Sequence, residues 1–222
     1  MIAALIVAGG RGHRLGGPVP KQYRLLDGVA IIRHSIVAFR DHPLIDQVRV
    51  VIHPDDRALF AAATAGMDVA PPVMGGASRQ DSVRLGLESL AALAPDRVVI
   101  HDAVRPFVAA STIAAVIAAL DHTPGAIAGV RLADTLKRCQ GALITGTVER
   151  TNLWRAQTPQ GFRFAAILAA HRAHAGRADL TDDAAVAELA GLAVTMVEAS
   201  DDNFKITTED DLRRAAFMMQ LG

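Results

Sequence analysis

Four short stretches hold most of the side chains able to do chemistry: GGRGHRLGGPVPK (residues 9–21), GGASRQDS (75–82), HDAVRP (101–106) and DNFKITT (202–208). The first combines closely spaced glycines with Arg11, His13, Arg14 and Lys21, and no acidic residue precedes Asp27. Successive backbone N–H groups in such a loop can wrap an anion, and the unneutralised cations strengthen the attraction. A P-loop would need Gly-Lys-Ser/Thr entering a helix, which is absent. A dinucleotide fingerprint would need a glycine where Leu15 stands, and Pro18 and Pro20 oppose a prompt helix start. A dinucleotide pyrophosphate needs little beyond a helix N-terminus. This amount of cation suits a triphosphate or a departing pyrophosphate. The competing reading is a solvated turn with scattered surface bases.

The elements that must position these stretches follow from apolar patterning. The continuous apolar run at 2–7 ends in glycines, as expected of a strand buried on both faces. Further strands are expected at 47–52, 69–74, 97–100, 126–130 and 194–197. Helices are expected at 30–39, 55–65, 81–93, 111–120 (capped by Ser111), 164–174, 182–189 (capped by Thr181) and 207–218, where Thr207 and Asp210 make a capping-box-like pair. Strands alternating with helices predict a mainly parallel, doubly wound α/β sheet, Rossmann-like in type. Ligands bind such sheets beyond the carboxyl ends of strands, which is where the chemical stretches fall.

Composition narrows the class further. The 222 residues suit one domain, and 51% are hydrophobic, enough for a sizeable core. Lys+Arg and Asp+Glu both number 23, so the net charge is zero, which argues against general binding of nucleic acid or membrane. The single cysteine, Cys139, excludes an internal disulfide and a multi-cysteine zinc site. The chain reads as cytoplasmic: its first apolar run is too short to span a bilayer and follows no basic segment. Residues 132–160 are richer in Thr and Arg than the rest and read as a hairpin-like arm. Such an arm cannot bury itself on its own sheet, so pairing with a second copy, a homodimer, is expected.

The pattern Gly10-x-Gly12-x-Arg14-x-Gly16 followed by Pro20-Lys21 resembles the signature of the nucleotide-sugar-pyrophosphorylase-like nucleotidyltransferases. PKQY, GGASRQDSV, HDAVRPF, ADTLKR, TPQGF, TDDA and DNFKITTEDDL then occur in order over nearly the whole chain. Together they closely resemble the 2-C-methyl-D-erythritol 4-phosphate cytidylyltransferases of the non-mevalonate isoprenoid pathway. The resemblance implies a single domain over 1–222 with a dimerisation arm at 132–160. It implies CTP and methylerythritol phosphate as substrates and Mg²⁺ as the divalent cation. It places Ala8, Gly9, Gly10, Gly12 and Arg14 around the CTP phosphates, and Gly75, Gly76, Arg79 and Ser82 around the cytidine. Lys21, Arg14 and Lys205 become the catalytic cations. Asp102 and Arg105 face the sugar phosphate and the metal region, with Asp102 the metal-side acid. Thr135, Arg150 and Thr158 reach the methylerythritol phosphate, across the dimer in the family. The family enzyme is fused to a cyclodiphosphate synthase in some organisms, and whether this chain is a whole protein or one half stays open.

Two positions depart from relatives. His13 stands where some have a second arginine, and Ala77 where some have an acidic residue. Read from the residues alone, several positions have plainer roles. Lys205 is then an exposed helix-flank lysine, Asp102 a turn cap or an ion site, and Thr135 and Arg150 ordinary arm residues. Trp154 reads as packing, His171 and His174 as solvated helix residues, and Cys139 as a passive thiol. The sequence offers no poised Ser–His pair or carboxylate dyad. A phosphate nucleophile, already anionic at neutral pH, requires neither. The nearest rival substrate is ribitol 5-phosphate, although ERTNLW and LTDDA look closer to the methylerythritol enzymes. A rival of another class is a non-catalytic nucleotide-binding domain.

Overall fold

A computed structural model describes residues 1–10, 17–177 and 179–220. The central sheet has seven strands: β1 (Ile2–Ala8), β4 (Gln47–Ile52), β5 (Val73–Met74), β6 (Arg97–Asp102), β7 (Gly125–Arg131), β10 (Trp154–Arg163) and β11 (Val194–Glu198). Their order across the sheet is β11-β7-β10-β6-β1-β4-β5. Strand β10 runs antiparallel to both neighbours, and the remaining pairings are parallel. The sheet is therefore the mainly parallel, doubly wound one expected.

Strand β1 explains the winding. Ala3, Ala4, Leu5 and Ile6 have no solvent exposure. Ala3 and Leu5 face a core built with α3 (Arg79–Leu90), α5 (Phe164–Ala173) and α6 (Asp183–Leu189). Ala4 and Ile6 face the opposite core, with α1 (Ile31–Arg40), α2 (Arg57–Ala63) and α4 (Ala110–Ala119). Successive side chains of a strand point to opposite faces, so an unbroken apolar run needs helices on both. Helix α3 approaches the sheet at Gly86, where a Cβ would lie 2.7 Å from Leu5 Cδ1 and from Val51 Cγ2.

Two small sheets stand apart. Strands β2 (Leu25–Leu26) and β3 (Val29–Ala30) form a tight hairpin. Its two loop residues, Asp27 and Gly28, both have positive φ, 51° and 74°, as a two-residue turn matching strand twist requires. Strands β8 (Leu136–Gln140) and β9 (Leu143–Val148) pair only with each other and are largely exposed. They occupy the middle of the 132–160 stretch. From Trp154 the chain is already in the central sheet, paired with Arg131 of β7.

Several local expectations shift. Helix α4 starts one residue earlier than expected, with Ala109 at its N-cap, so Ser111 caps nothing. Helix α6 is capped by Asp182, whose carboxylate accepts from Ala185 N, and not by Thr181. The capping box of α7 (Glu209–Met219) is Thr208 with Asp211, one residue beyond the Thr207–Asp210 pair. His171 is fully buried, contrary to the solvated position expected. Among the described residues, no helix is long and apolar enough to cross a membrane.

Candidate active site

Strands β1, β4 and β6 end side by side, and the loops leaving them surround a cleft of about 500 Å³. Its walls include Ala8 at the end of β1, Gly9 and Gly10 after it, Lys21 and Gln22 in the following single turn, and His53 after β4. Gly76 comes from the loop into α3, Arg79 and Ser82 from the first turn of α3, Asp102 from β6, and Lys205 from the segment before α7. Parallel strands diverge to either side of β1 here, the place where an open α/β sheet leaves a crevice.

Close packing fixes the glycine lips. Gly76 N donates to Ser82 Oγ at 3.1 Å. A Cβ on Gly9 would come within 3.2 Å of that same oxygen, and one on Gly75 within 2.7 Å. A Cβ on Gly76 would meet Asp81 Cβ at 2.5 Å. Ser78 caps α3 through Asp81 N at 3.0 Å, setting Arg79 at the start of the helix. On the other lip, Gln22 Nε2 donates to Ala8 O at 2.8 Å and to Gly10 O at 3.1 Å. Gln22 thus staples the loop's entry. Its word, PKQY, is visible in the sequence, but no pattern reveals what a lone glutamine will bond. Lys21 Nζ donates to Ile206 O at 3.1 Å, which brings the first loop against the last.

Asp102 is the electrostatic centre. Lys205 Nζ lies 2.8 Å from its Oδ2, Arg105 Nε 3.8 Å from the same oxygen, and Arg79 Nη2 3.7 Å from Oδ1. Burial alone would raise the pKa of this carboxyl. The cations Lys205, Arg79 and Arg105 override burial and hold it well below the usual carboxylate range. Arg105 is buried behind Asp102, and its Nη1 donates to Asn203 O at 2.7 Å. Asn203 in turn donates through Nδ2 to Thr158 O and Gln157 Oε1, both at 2.8 Å.

Thr158 sits beneath Asp102. Its Oγ1 accepts from Asp102 N at 3.0 Å and lies 3.0 Å from His101 Nδ1, while His101 Nε2 lies 3.0 Å from Arg105 O. A carbonyl only accepts, so Nε2 carries the proton and Nδ1 accepts from the threonine hydroxyl. Burial pushes the His101 pKa down to about 4. The unfolded chain takes up a proton here at about pH 6.5, so stability falls as pH drops from there towards about 4. Between pH 7 and pH 5 the loss amounts to about 2 kcal/mol. Urea midpoints measured at both pH values check this, with His101→Gln expected to show a smaller difference. An equal pH difference in the variant refutes the assignment.

The structure brings together Ala8, Gly9, Gly10, Lys21, Gly76, Arg79, Ser82, Asp102 and Lys205 on one cleft, with Gly75 packed beneath Ser82. Arg105 and Thr158 lie behind the wall. Thr135 and Arg150 are exposed on either side of the β8–β9 hairpin, away from this cleft. Gly12, His13 and Arg14 lie outside the described residues. Ala77, the other departure, lines the cleft. Sequence reasoning missed His53 and Asn203. His53 directly follows β4, so the strand-end rule applied to every strand would have found it. Among the described residues, no group of three or more His, Cys, Asp or Glu side chains could cage a metal.

Fold and site together define a doubly wound α/β protein with a cleft lined by glycines, Lys21, Arg79, Asp102 and Lys205 at its switch point. The family model for 2-C-methyl-D-erythritol 4-phosphate cytidylyltransferase matches residues 2–221, and the chain belongs to that family. A relative from Cereibacter sphaeroides that bears the same description is 49% identical over 224 residues, covering 99% of this chain and 97% of the relative. A "Bifunctional enzyme IspD/IspF" from Paramagnetospirillum magneticum is 59% identical over 211 residues, which are 95% of this chain and 55% of that protein. The chain thus spans little more than half the length of such bifunctional relatives. The crystal structure of 2-C-methyl-D-erythritol 4-phosphate cytidylyltransferase from Thermus thermophilus has a TM-score of 0.83 at 30% identity, covering 99% of this chain and all of the other.

Proposed function

We propose that this chain transfers the cytidylyl group of CTP to 2-C-methyl-D-erythritol 4-phosphate, giving 4-diphosphocytidyl-2-C-methyl-D-erythritol and pyrophosphate. The carrying observation is the cleft of this family member, where Gly9, Gly10, Lys21, Ser82, Asp102 and Lys205 converge from distant loops. An oxygen of the substrate phosphate attacks the α-phosphorus of CTP in line, and the bond to the bridging oxygen of the β-phosphate breaks. A phosphate monoester is largely dianionic at neutral pH, so the site needs no base. It needs alignment and fixed positive charge where negative charge grows. Lys21 and Lys205, both lining the cleft, supply that charge, and Arg14 is assigned the same role. Gly9 and Gly10 admit the phosphates, and Gly76 and Ser82 receive the nucleoside end.

Mg²⁺ fits the donor set: one carboxylate, Asp102, opening onto a cleft built for phosphate oxygens. Mg²⁺ usually binds through one or two carboxylates plus substrate phosphates and keeps water, and when bound it would neutralise phosphate charge. The β8–β9 hairpin, exposing Leu136, Leu143 and Ile144, is assigned to a homodimer in which Thr135 and Arg150 reach the partner's acceptor substrate. Sedimentation as an active monomer would refute that assembly. A cytoplasmic location accords with this chemistry, since CTP is a cytosolic metabolite.

The decisive measurement is pyrophosphate release from CTP with each of two acceptors, methylerythritol phosphate and ribitol 5-phosphate, before and after chelation of divalent cations. Release with the first and not the second, lost on chelation, is expected. The reverse preference overturns the acceptor, persistence after chelation overturns the metal, and CTP binding without release indicates a non-catalytic domain.

A further inference from the structure

Behind Asp102 lies a second carboxylate that the proposed reaction does not use. Asp183, in the first turn of α6, has no solvent exposure. It forks Arg79: Nη1 donates to Oδ1 at 3.1 Å and Nη2 to Oδ2 at 2.8 Å. Its position is fixed from three sides. Gln160 Oε1 of β10 accepts from Asp183 N and Ala184 N, both at 3.0 Å. His171 Nε2 of α5 stands 3.3 Å from Asp183 Oδ1. Gln80 of α3 donates to His171 O at 2.8 Å, which ties α3 to α5 beside the pair.

The distances show two carboxylates competing for one guanidinium. Asp183 holds both terminal nitrogens at hydrogen-bond range, and Asp102 Oδ1 is left at 3.7 Å from Nη2. The short bond to Asp102 comes from Lys205 and lands on Oδ2. Oδ1 of Asp102 therefore has no hydrogen-bond partner among the described residues, although a guanidinium on the same wall could supply a bidentate pair.

We propose that Asp183 is a positioning residue: by holding the Arg79 fork it keeps that guanidinium from closing on Asp102, and so leaves Asp102 Oδ1 open to the cleft. The inference rests on the cytidylyltransferase reading, in which that oxygen faces the acceptor and the hydrated cation. Asp183 touches neither substrate. It acts through Arg79, and its negative charge, rather than its shape, does the holding. Groups that orient a ligating or reacting residue from behind commonly matter at the level of about 10–100-fold in activity or affinity.

Asp183→Asn keeps the shape and removes the charge. With CTP and methylerythritol phosphate, the full-length variant is expected to lose about tenfold or more in kcat with the KM for CTP little changed. Asp183→Glu, which restores the charge, recovers part of that loss. A rise in KM for CTP at unchanged kcat would mean that Arg79 binds the nucleotide directly, and it overturns the proposal, as does unchanged turnover. If Asp183→Asn yields no folded protein, Arg79→Lys decides. A lysine cannot fork one carboxylate while standing off another, so kcat falls at constant KM, and wild-type kcat overturns the proposal. If the wild-type chain itself releases no pyrophosphate, the reaction is wrong. A crystal structure of whichever variant folds then judges the inference alone. The new side-chain arrangement closing on Asp102 Oδ1 supports it, and an open Oδ1 overturns it.

Discussion

Lys21→Ala lowers turnover by about 10²–10³-fold, the usual worth of one oriented donor to developing charge, and leaves the fold in place. The single turn that carries Lys21 is held by main-chain bonds, Tyr23 N to Pro20 O and Arg24 N to Lys21 O, which alanine keeps. Gln22 continues to staple Ala8 and Gly10. What is lost includes a cation lining the cleft and its bond to Ile206 O. Steady-state kinetics beside a thermal melt separate the two effects. Near-wild-type turnover, or a variant that no longer melts cooperatively, sinks the catalytic assignment.

The second large effect falls on stability as well as activity. Asp102→Asn removes the negative charge that Lys205 and Arg105 face and that Arg79 shares with Asp183. Losing one partner of a buried pair costs about 3–5 kcal/mol. Lys205 is partly solvated, with its side chain 38% exposed, so the lower end, about 3 kcal/mol, is expected. The contribution of Asp102 is present above the ordinary carboxylate pKa of about 3.9 and fades as pH falls below it, because the folded pKa is the lower one. Urea unfolding at pH 7 gives the difference directly. A variant as stable as wild type would show that desolvation cancels the three pairings. Turnover falls too, since the acidic group of the cleft is gone.

These effects trace to residues of unequal legibility. Strand β1 was readable because a run buried on both faces leaves an unbroken apolar signature. The cleft loops were readable because they follow strands and carry clustered glycine and charge. Strand β10 was not. Its sequence, WRAQTPQGFR, has polar residues at buried positions, and Gln157, Thr158 and Gln160 are buried through hydrogen bonds to Asn203, Asp102 N and the start of α6. Hydrophobic periodicity cannot register a strand stabilised in this way. The caps of α6 and α7 slipped by one residue because Thr and acidic residues stand in a row at their starts, and only geometry chooses among them, whereas α4 starts at alanines, ahead of Ser111. Asp183 stands within TDDA, yet nothing in one sequence says that its partner lies 104 positions earlier at Arg79.

Gly86 blurs the line between a stability residue and an activity residue. It lies two helical turns along α3 from Arg79, with no room for a methyl group between the helix and Leu5 or Val51. A rigid helix transmits displacement along its length. Any enlargement of Gly86, Leu5 or Val51 must be relieved partly by lifting α3, and Ser82 and Arg79 travel with it away from the Gly9 lip. The gauge of the cleft is thus calibrated by core volume at a point that no substrate touches. Conservative repacking there is expected to change what the cleft can hold, even where the melting temperature records little.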